Sequence, residues 1–183
     1  MGRSKFNDLL ERVQGARFLA GFERICLYGS PGYGKSHILA ALACKLIREK
    51  KRVLYVPDCV QLLQNFEEVI RTGLYFTCYE SVPLLQEIQS ARNADDLIRI
   101  WKGQKDIYFI VDHLNTLEPN SSSLDATKIQ VRGWLNKMSW NRQYIFSASG
   151  NERSNLVTDI KHSSVIRCIG GMNQVCLCFY GRV

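Results

Sequence analysis

Gly29-Ser30-Pro31-Gly32-Tyr33-Gly34-Lys35-Ser36 satisfies G-x-x-x-x-G-K-[ST] at every fixed position, and the residue types fixed there are those that hold phosphate. Gly29, Gly32 and Gly34 admit backbone conformations closed to residues with a Cβ, so that successive N–H groups can point inward at phosphate oxygens. Lys35 supplies a positive charge for the β- and γ-phosphates, and the Ser36 hydroxyl is of the type that ligates Mg²⁺. A helix starting at this point adds the positive end of its dipole. The expected nucleotide-contacting set is therefore Gly29, Ser30, Pro31, Gly32, Tyr33, Gly34, Lys35, Ser36 and His37.

A phosphate loop of this kind needs a buried strand before it and a helix after it. Ile25-Cys26-Leu27-Tyr28 is a short apolar run, and residues 35–52 contain neither Gly nor Pro. Within that stretch Ile38, Leu39, Leu42, Leu46 and Ile47 recur at spacings of three and four, which makes one apolar stripe on a helix. The second half of such a site is a carboxylate at the end of a neighbouring strand, holding Mg²⁺ through its water shell. Asp112 stands directly after the apolar run Ile107-Tyr108-Phe109-Ile110-Val111 and is that residue. The next position, where many ATPases with an extra strand between the loop strand and the carboxylate strand carry a water-activating Glu, is His113. A neutral imidazole can act as a base near pH 7 or only orient water, and Glu118 is a second candidate. At the tip of Gln143-Tyr144-Ile145-Phe146-Ser147-Ala148-Ser149, Ser149 and Asn151 are candidates for a γ-phosphate sensor, with Arg153 adding positive charge. The expected catalytic set is Lys35, Asp112, His113 and Asn151, with Ser36 and Asp112 as metal ligands.

The intervening elements must carry these residues to one edge. Arg52-Val53-Leu54-Tyr55-Val56 reads as a strand stopped by Pro57, and Asp58 as the cap of a helix over 59–71. A further helix is expected over 84–102, a Ser/Asn-rich loop over 115–123 and a helix over 124–138. The order of strands and helices is that of a doubly wound, mostly parallel α/β sheet in three layers, with the ligand at the C-terminal strand edge. One domain over 1–183 is expected, with a core over 24–172, a helical segment over 1–20, and Val175-Cys176-Leu177-Cys178-Phe179-Tyr180 as a last strand or a divergent tail.

Composition bounds the partners. The chain has 183 residues, is 46% hydrophobic and carries a formal charge of +7, which suits ATP and leaves room for nucleic acid. The densest basic run, Arg48-Glu49-Lys50-Lys51-Arg52, sits at a helix C-terminus, where cations are favoured for local reasons. No apolar stretch approaches the ~20 residues that span a bilayer, and no signal-peptide segment opens the chain. Seven cysteines without a C-x-x-C, and three scattered histidines, argue against zinc and for a reducing compartment. GTP is disfavoured, because Asp112-His113-Leu114-Asn115 lacks the glycine that follows the aspartate in GTPase switch segments.

Four blocks resemble the NTPase module of Crinkler-type proteins of fungi and oomycetes. They are Leu27-Tyr28-Gly29-Ser30-Pro31-Gly32-Tyr33-Gly34-Lys35-Ser36-His37-Ile38-Leu39-Ala40-Ala41, Arg52-Val53-Leu54-Tyr55-Val56-Pro57-Asp58-Cys59, Tyr108-Phe109-Ile110-Val111-Asp112-His113-Leu114-Asn115 and Phe146-Ser147-Ala148-Ser149-Gly150-Asn151. The resemblance covers about 24–172 and implies Mg²⁺-dependent ATP binding and hydrolysis, driving or gating an attached domain or a protein partner. It also implies secretion of full-length forms into host cells. A translocation header and a C-terminal effector domain, usual in that family, are not seen in this sequence, and the family commonly has Gln where His113 stands. Three alternatives stay open: a nucleotide-binding switch with negligible hydrolysis, a truncated relic without activity, and a small-molecule kinase. Against the kinase, no Arg-rich lid is evident between Asp112 and Trp134 beyond Arg132.

Overall fold

Alternation along the strands explains how one sheet separates two apolar cores. In the computed structural model, which describes residues 2–15, 24–118, 125–149 and 163–168, the third strand β3 (Ile107–Val111) is buried along its whole length. Its Ile107, Phe109 and Val111 face one core and its Tyr108 and Ile110 the other, as a period of two requires. Its neighbours are β1 (Arg24–Gly29), β2 (Arg52–Val56), β4 (Gln143–Ser149) and β5 (Ser164–Arg167). The sheet order is β2-β3-β4-β1-β5, and every pairing is parallel. Strand β4 thus lies between the loop strand β1 and the carboxylate strand β3.

Helices cover both faces. On one side α1 (Gly2–Gly15) and α2 (Lys35–Arg48) bring Leu9, Val13, Ile38, Leu39, Leu42 and Leu46 against Ile25, Leu27, Ile110 and Ile145. On the other lie α3 (Cys59–Thr77), α4 (Val82–Ser90), α5 (Ala94–Gly103) and α6 (Ala126–Ser139), with Trp101 buried at the centre. The Trp101 indole N–H donates to the Met138 carbonyl at 2.8 Å, tying α5 to α6. The architecture is the three-layer α/β/α arrangement read from the sequence.

Local backbone features set the helix boundaries. Helix α2 stops at Arg48, where the basic run expected at its C-terminal end begins, because Lys50 adopts a left-handed φ of 58°. Lys51 N–H then bonds Leu46 O (2.9 Å) and Lys50 N–H bonds Ile47 O (2.9 Å), a Schellman closure made without glycine. Helix α3 runs on to Thr77, past Gly73, since a Cβ on Gly73 would come within 3.1 Å of the Leu54 side chain: the glycine serves close helix–sheet packing and not termination. Inside α3 the backbone breaks at Asn65 (φ −156°, ψ 83°), whose side chain accepts from Glu68 N–H at 3.1 Å as an internal cap. The stretch 84–102 divides into α4 and α5, because Asn93 caps a fresh helix start by accepting from Asp96 N–H (3.0 Å). The fifth strand is β5, a segment not foreseen in the sequence, while the expected strand at 175–180 lies outside the described residues.

Candidate functional site

The glycine loop joins β1 to α2 at the C-terminal edge of the sheet. Gly32 and Gly34 have φ of 81° and 75°, the left-handed region in which a Cβ is strained. Gly29 is required for a different reason from the conformational one expected. A Cβ there would stand 2.0 Å from the Cys168 carbonyl oxygen, because the chain leaving β5 bonds back through Cys168 N–H to Tyr28 O (2.6 Å). Pro31, Gly32, Tyr33 and His37 are exposed, and Ser30 and Ser36 are partly so.

Lys35 is buried, and its ammonium donates to the carbonyls of Gly29 (2.9 Å) and Ser30 (2.8 Å). Burial lowers its pKa below the ordinary 10.5, with Cys168 and Asp112 pulling the other way. An anionic oxygen beside this ammonium would offset that desolvation, which is what a phosphate supplies.

Opposite stands Asp112, where β3 ends, 1% exposed. Its Oδ1 accepts from the Ser147 hydroxyl and from the His113 N–H (2.9 Å). Its backbone is held as firmly, with Asp112 N–H donating to Val56 O (2.9 Å) and the Cys59 thiol donating to Asp112 O (3.1 Å). Asp112 Oδ2 is buried and accepts no hydrogen bond. A buried carboxylate oxygen left without a donor costs free energy unless a cation satisfies it. The donor set therefore fits a hard divalent ion such as Mg²⁺, with the Ser36 hydroxyl as the second protein ligand. Among the described residues no group of three or more His, Cys, Asp and Glu forms a site by itself, so the other ligands would be phosphate oxygens and water.

His113 follows with φ 58° and ψ 39°, left-handed for a residue bearing a Cβ. Its N–H donates to Asp112 Oδ1 and to Ser147 Oγ (3.1 Å), and these two bonds hold it there. The ring reaches across to Ser36, with Nε2 3.3 Å from Ser36 Oγ and 4.0 Å from Asp112 Oδ2, while Nδ1 lies 3.7 Å from Asp58 Oδ1. The structure thus brings together Lys35, Ser36, Asp112 and His113. Glu118 closes the 3₁₀ turn Leu114–Leu117 as a buried residue, its carbonyl accepting from Lys128 Nζ at 3.3 Å. Ser149 N–H donates to the Asn115 side chain (3.3 Å), joining the tip of β4 to that turn. Asn151 and Arg153 lie outside the described residues.

Two residues of the site were not singled out for chemistry. Ser147 is a fully buried hydroxyl within an apolar strand, and such a group must find a polar partner; that was the signal available. Asp58 is the helix cap that the sequence predicts, accepting from Val60 N–H at 2.9 Å. It also faces His113 from the end of the adjacent strand, which only the order β2-β3 reveals.

No protein-family model matches the sequence, and no curated protein does. Solved structures are similar. AMPPCP-bound DnaA from Aquifex aeolicus superposes with a TM-score of 0.53 at 18% identity over 90% of this chain and 46% of that one. A DNA replication initiation factor gives 0.54 at 17% identity, over 90% and 45%. Drosophila ORC bound to DNA gives 0.52 at 12%, over 88% and 41%. The chain spans less than half the length of each of these structures. At such identities the likeness speaks to the fold alone, and the fold is that of the P-loop nucleoside triphosphatases with an added strand between loop and carboxylate.

Proposed function

We propose that this chain is an ATP-binding module that hydrolyses its nucleotide with Mg²⁺. The observation that carries the reading is the buried, unpartnered Asp112 Oδ2, which shares with the Ser36 hydroxyl a position within 4.0 Å of one ring nitrogen, at the foot of the glycine loop. Backbone N–H groups of the loop and the N-terminus of α2 would receive the phosphates, and Lys35 would exchange its two carbonyl partners for phosphate oxygens. Ser36 and Asp112 would hold Mg²⁺, which when bound neutralises charge on the β- and γ-phosphates. Ser147 fixes the Asp112 carboxylate by its hydroxyl, leaving Oδ2 as the oxygen that would be available to a cation. His113, exposed at the rim, would orient or deprotonate water.

The test is phosphate release from ATP by the wild type and by Lys35→Ala. Turnover in the first that disappears in the second supports hydrolysis at this site, and equal turnover in both contradicts it. A second reading, a switch that binds ATP with negligible hydrolysis, is favoured by the one feature that departs from the common pattern, an imidazole where an acid is usual. Tight binding without phosphate release would select it. A Crinkler-type setting, with the module gating an attached domain and full-length forms secreted, is a proposal that rests on the four sequence blocks. Nucleic acid as a partner rests on the charge of +7, and salt-dependent retardation of an oligonucleotide would test it.

A further inference from the structure

We infer that the sheet edge opposite the glycine loop, where the strands begin, binds single-stranded nucleic acid. This surface gives the nucleic-acid partner proposed above a place on the molecule, and it is independent of the ATP reading. Parallel strands all start at one edge, and here the first four each start beside a cation. Arg24 opens β1, Arg52 opens β2, Lys105 stands two residues before β3 and Arg142 directly before β4. With neighbouring strands ~4.8 Å apart, Arg52, Lys105 and Arg142 make a row about 10 Å long. Two of these charges are built in without a counterion. Arg52 donates to Gln104 Oε1 (2.8 Å) and Cys78 Sγ (3.7 Å), and Arg142 donates to the carbonyls of Trp101 and Lys102 (3.1 Å each) and of Gln104. All of these partners are uncharged. Burial lowers the Arg142 pKa below its ordinary value and the nearby Arg52 lowers it further, with Asp106 opposing. Lys51, Lys102 and Lys105 add exposed ammonium groups. The carboxylates adjoining these residues in sequence are Glu49, which pairs with Lys45 (2.9 Å), and Asp106, so the edge stays positive.

Charge alone would hold any polyanion, and two open aromatic rings narrow the choice. Tyr79 is 69% exposed and Trp140 73%, although tryptophan is a residue buried on average. Tyr79 follows the end of α3, next to the Cys78 thiol that Arg52 bonds, with its hydroxyl donating to Glu80 (3.0 Å). Trp140 follows the end of α6, two residues before Arg142. The rings thus stand toward the two ends of the cation row. A helix C-terminus favours Lys102 for local reasons, but Lys51, Lys105, Tyr79 and Trp140 all lie beyond their helices. A single strand offers both groups that such a surface recognises, phosphates for the lysines and unstacked bases for the rings. A duplex keeps its base faces inside the stack, and an acidic polypeptide has no base to offer.

Fluorescence anisotropy of a labelled oligothymidine of about a dozen nucleotides, titrated with the full chain at several salt concentrations and without ATP, tests the surface. The wild type should bind, and more weakly as salt rises. Lys51→Ala, Lys102→Ala and Lys105→Ala combined should lower the slope of log affinity against log salt by about two, at ~0.7 per phosphate contact, while arginine at the same three positions keeps it. Trp140→Ala should weaken binding roughly tenfold with the slope kept. Quenching of tryptophan fluorescence by the oligonucleotide should vanish in Trp140→Phe, which retains a stacking ring and most of the affinity. The substituted side chains are all exposed, so the fold and the affinity for ATP are kept. Affinity and slope unchanged in both alanine variants, or a duplex or a polyglutamate chain of equal charge bound as tightly, would overturn the assignment. Binding lost in Lys35→Ala and kept in the edge variants would move the oligonucleotide to the glycine loop and overturn this surface alone. No binding by the wild type would sink the nucleic-acid partner together with it, and the ATP reading would stand or fall on its own titration.

Discussion

At the scale of single residues, the site is built by burying polar groups and leaving one of them short of a partner. Asp112 takes two donors on Oδ1 and none on Oδ2, and Ser147 is the side chain that produces this asymmetry. Ser147→Ala removes one of the two donors, and unfolding stability is expected to fall by about 1–3 kcal/mol in urea titrations. Mg²⁺-dependent ATP affinity should fall with it, because the carboxylate loses its fixed rotamer. Tyr55 gives a second residue-level expectation. Burial, with Asp112 as a lesser cause, pushes its phenol from 10.0 up to about 12. Since the folded value exceeds the unfolded one, its contribution to stability is complete below about pH 10 and is lost as pH rises toward about 12. Tyr55→Phe should therefore flatten the alkaline part of the stability profile measured by chemical denaturation, and an unchanged alkaline limb would show that another group sets it.

At the scale of elements, the loop depends on a strand that carries none of its motif residues. The chain leaving β5 presses the Cys168 carbonyl onto Gly29, so the first glycine of the phosphate loop is held by packing against the sheet edge. Gly29→Ala is expected to cost about 3 kcal/mol or more, beyond the usual range of overpacking, since the obstructing atoms are backbone and cannot rotate away. Thermal melts that match the wild type would contradict that account. Strands β2, β3 and β4 and the position of Lys35, Ser36 and Asp112 at one edge of the sheet were legible in the sequence, because a buried parallel strand writes a continuous apolar run and the loop fixes its residue types. The Schellman closure at Lys50, the internal cap at Asn65 and the passage of α3 through Gly73 were not legible, as each depends on a neighbour distant in sequence or on a residue atypical for its position. Strand β5 was missed for a related reason: Ser164-Val165-Ile166-Arg167 is four residues at a sheet edge, with Ile166 its one buried position, too short for a periodic signal. Asp58 escaped notice as a site residue because strand order, not strand content, places it beside His113.

At the scale of the whole molecule, the sheet gathers groups from three strand ends and one loop onto a single edge, and a ligand bound there would couple them. Saturation with Mg²⁺ and ATP at about 100 times Kd would add about 2.7 kcal/mol to the folded state. For a chain of this size that is a rise in Tm of about 5–10 °C. The same scan with ATP in excess chelator should show a smaller rise, because Asp112 Oδ2 would then lack its cation. The central claim is that the glycine loop and Asp112 form one Mg²⁺–ATP site, and isothermal titration of ATP into the wild type, Lys35→Ala and Asp112→Asn tests it most directly. Binding to the wild type that needs Mg²⁺, is lost in Lys35→Ala and loses its Mg²⁺ dependence in Asp112→Asn is the predicted result; ATP binding of equal strength in all three proteins would contradict it.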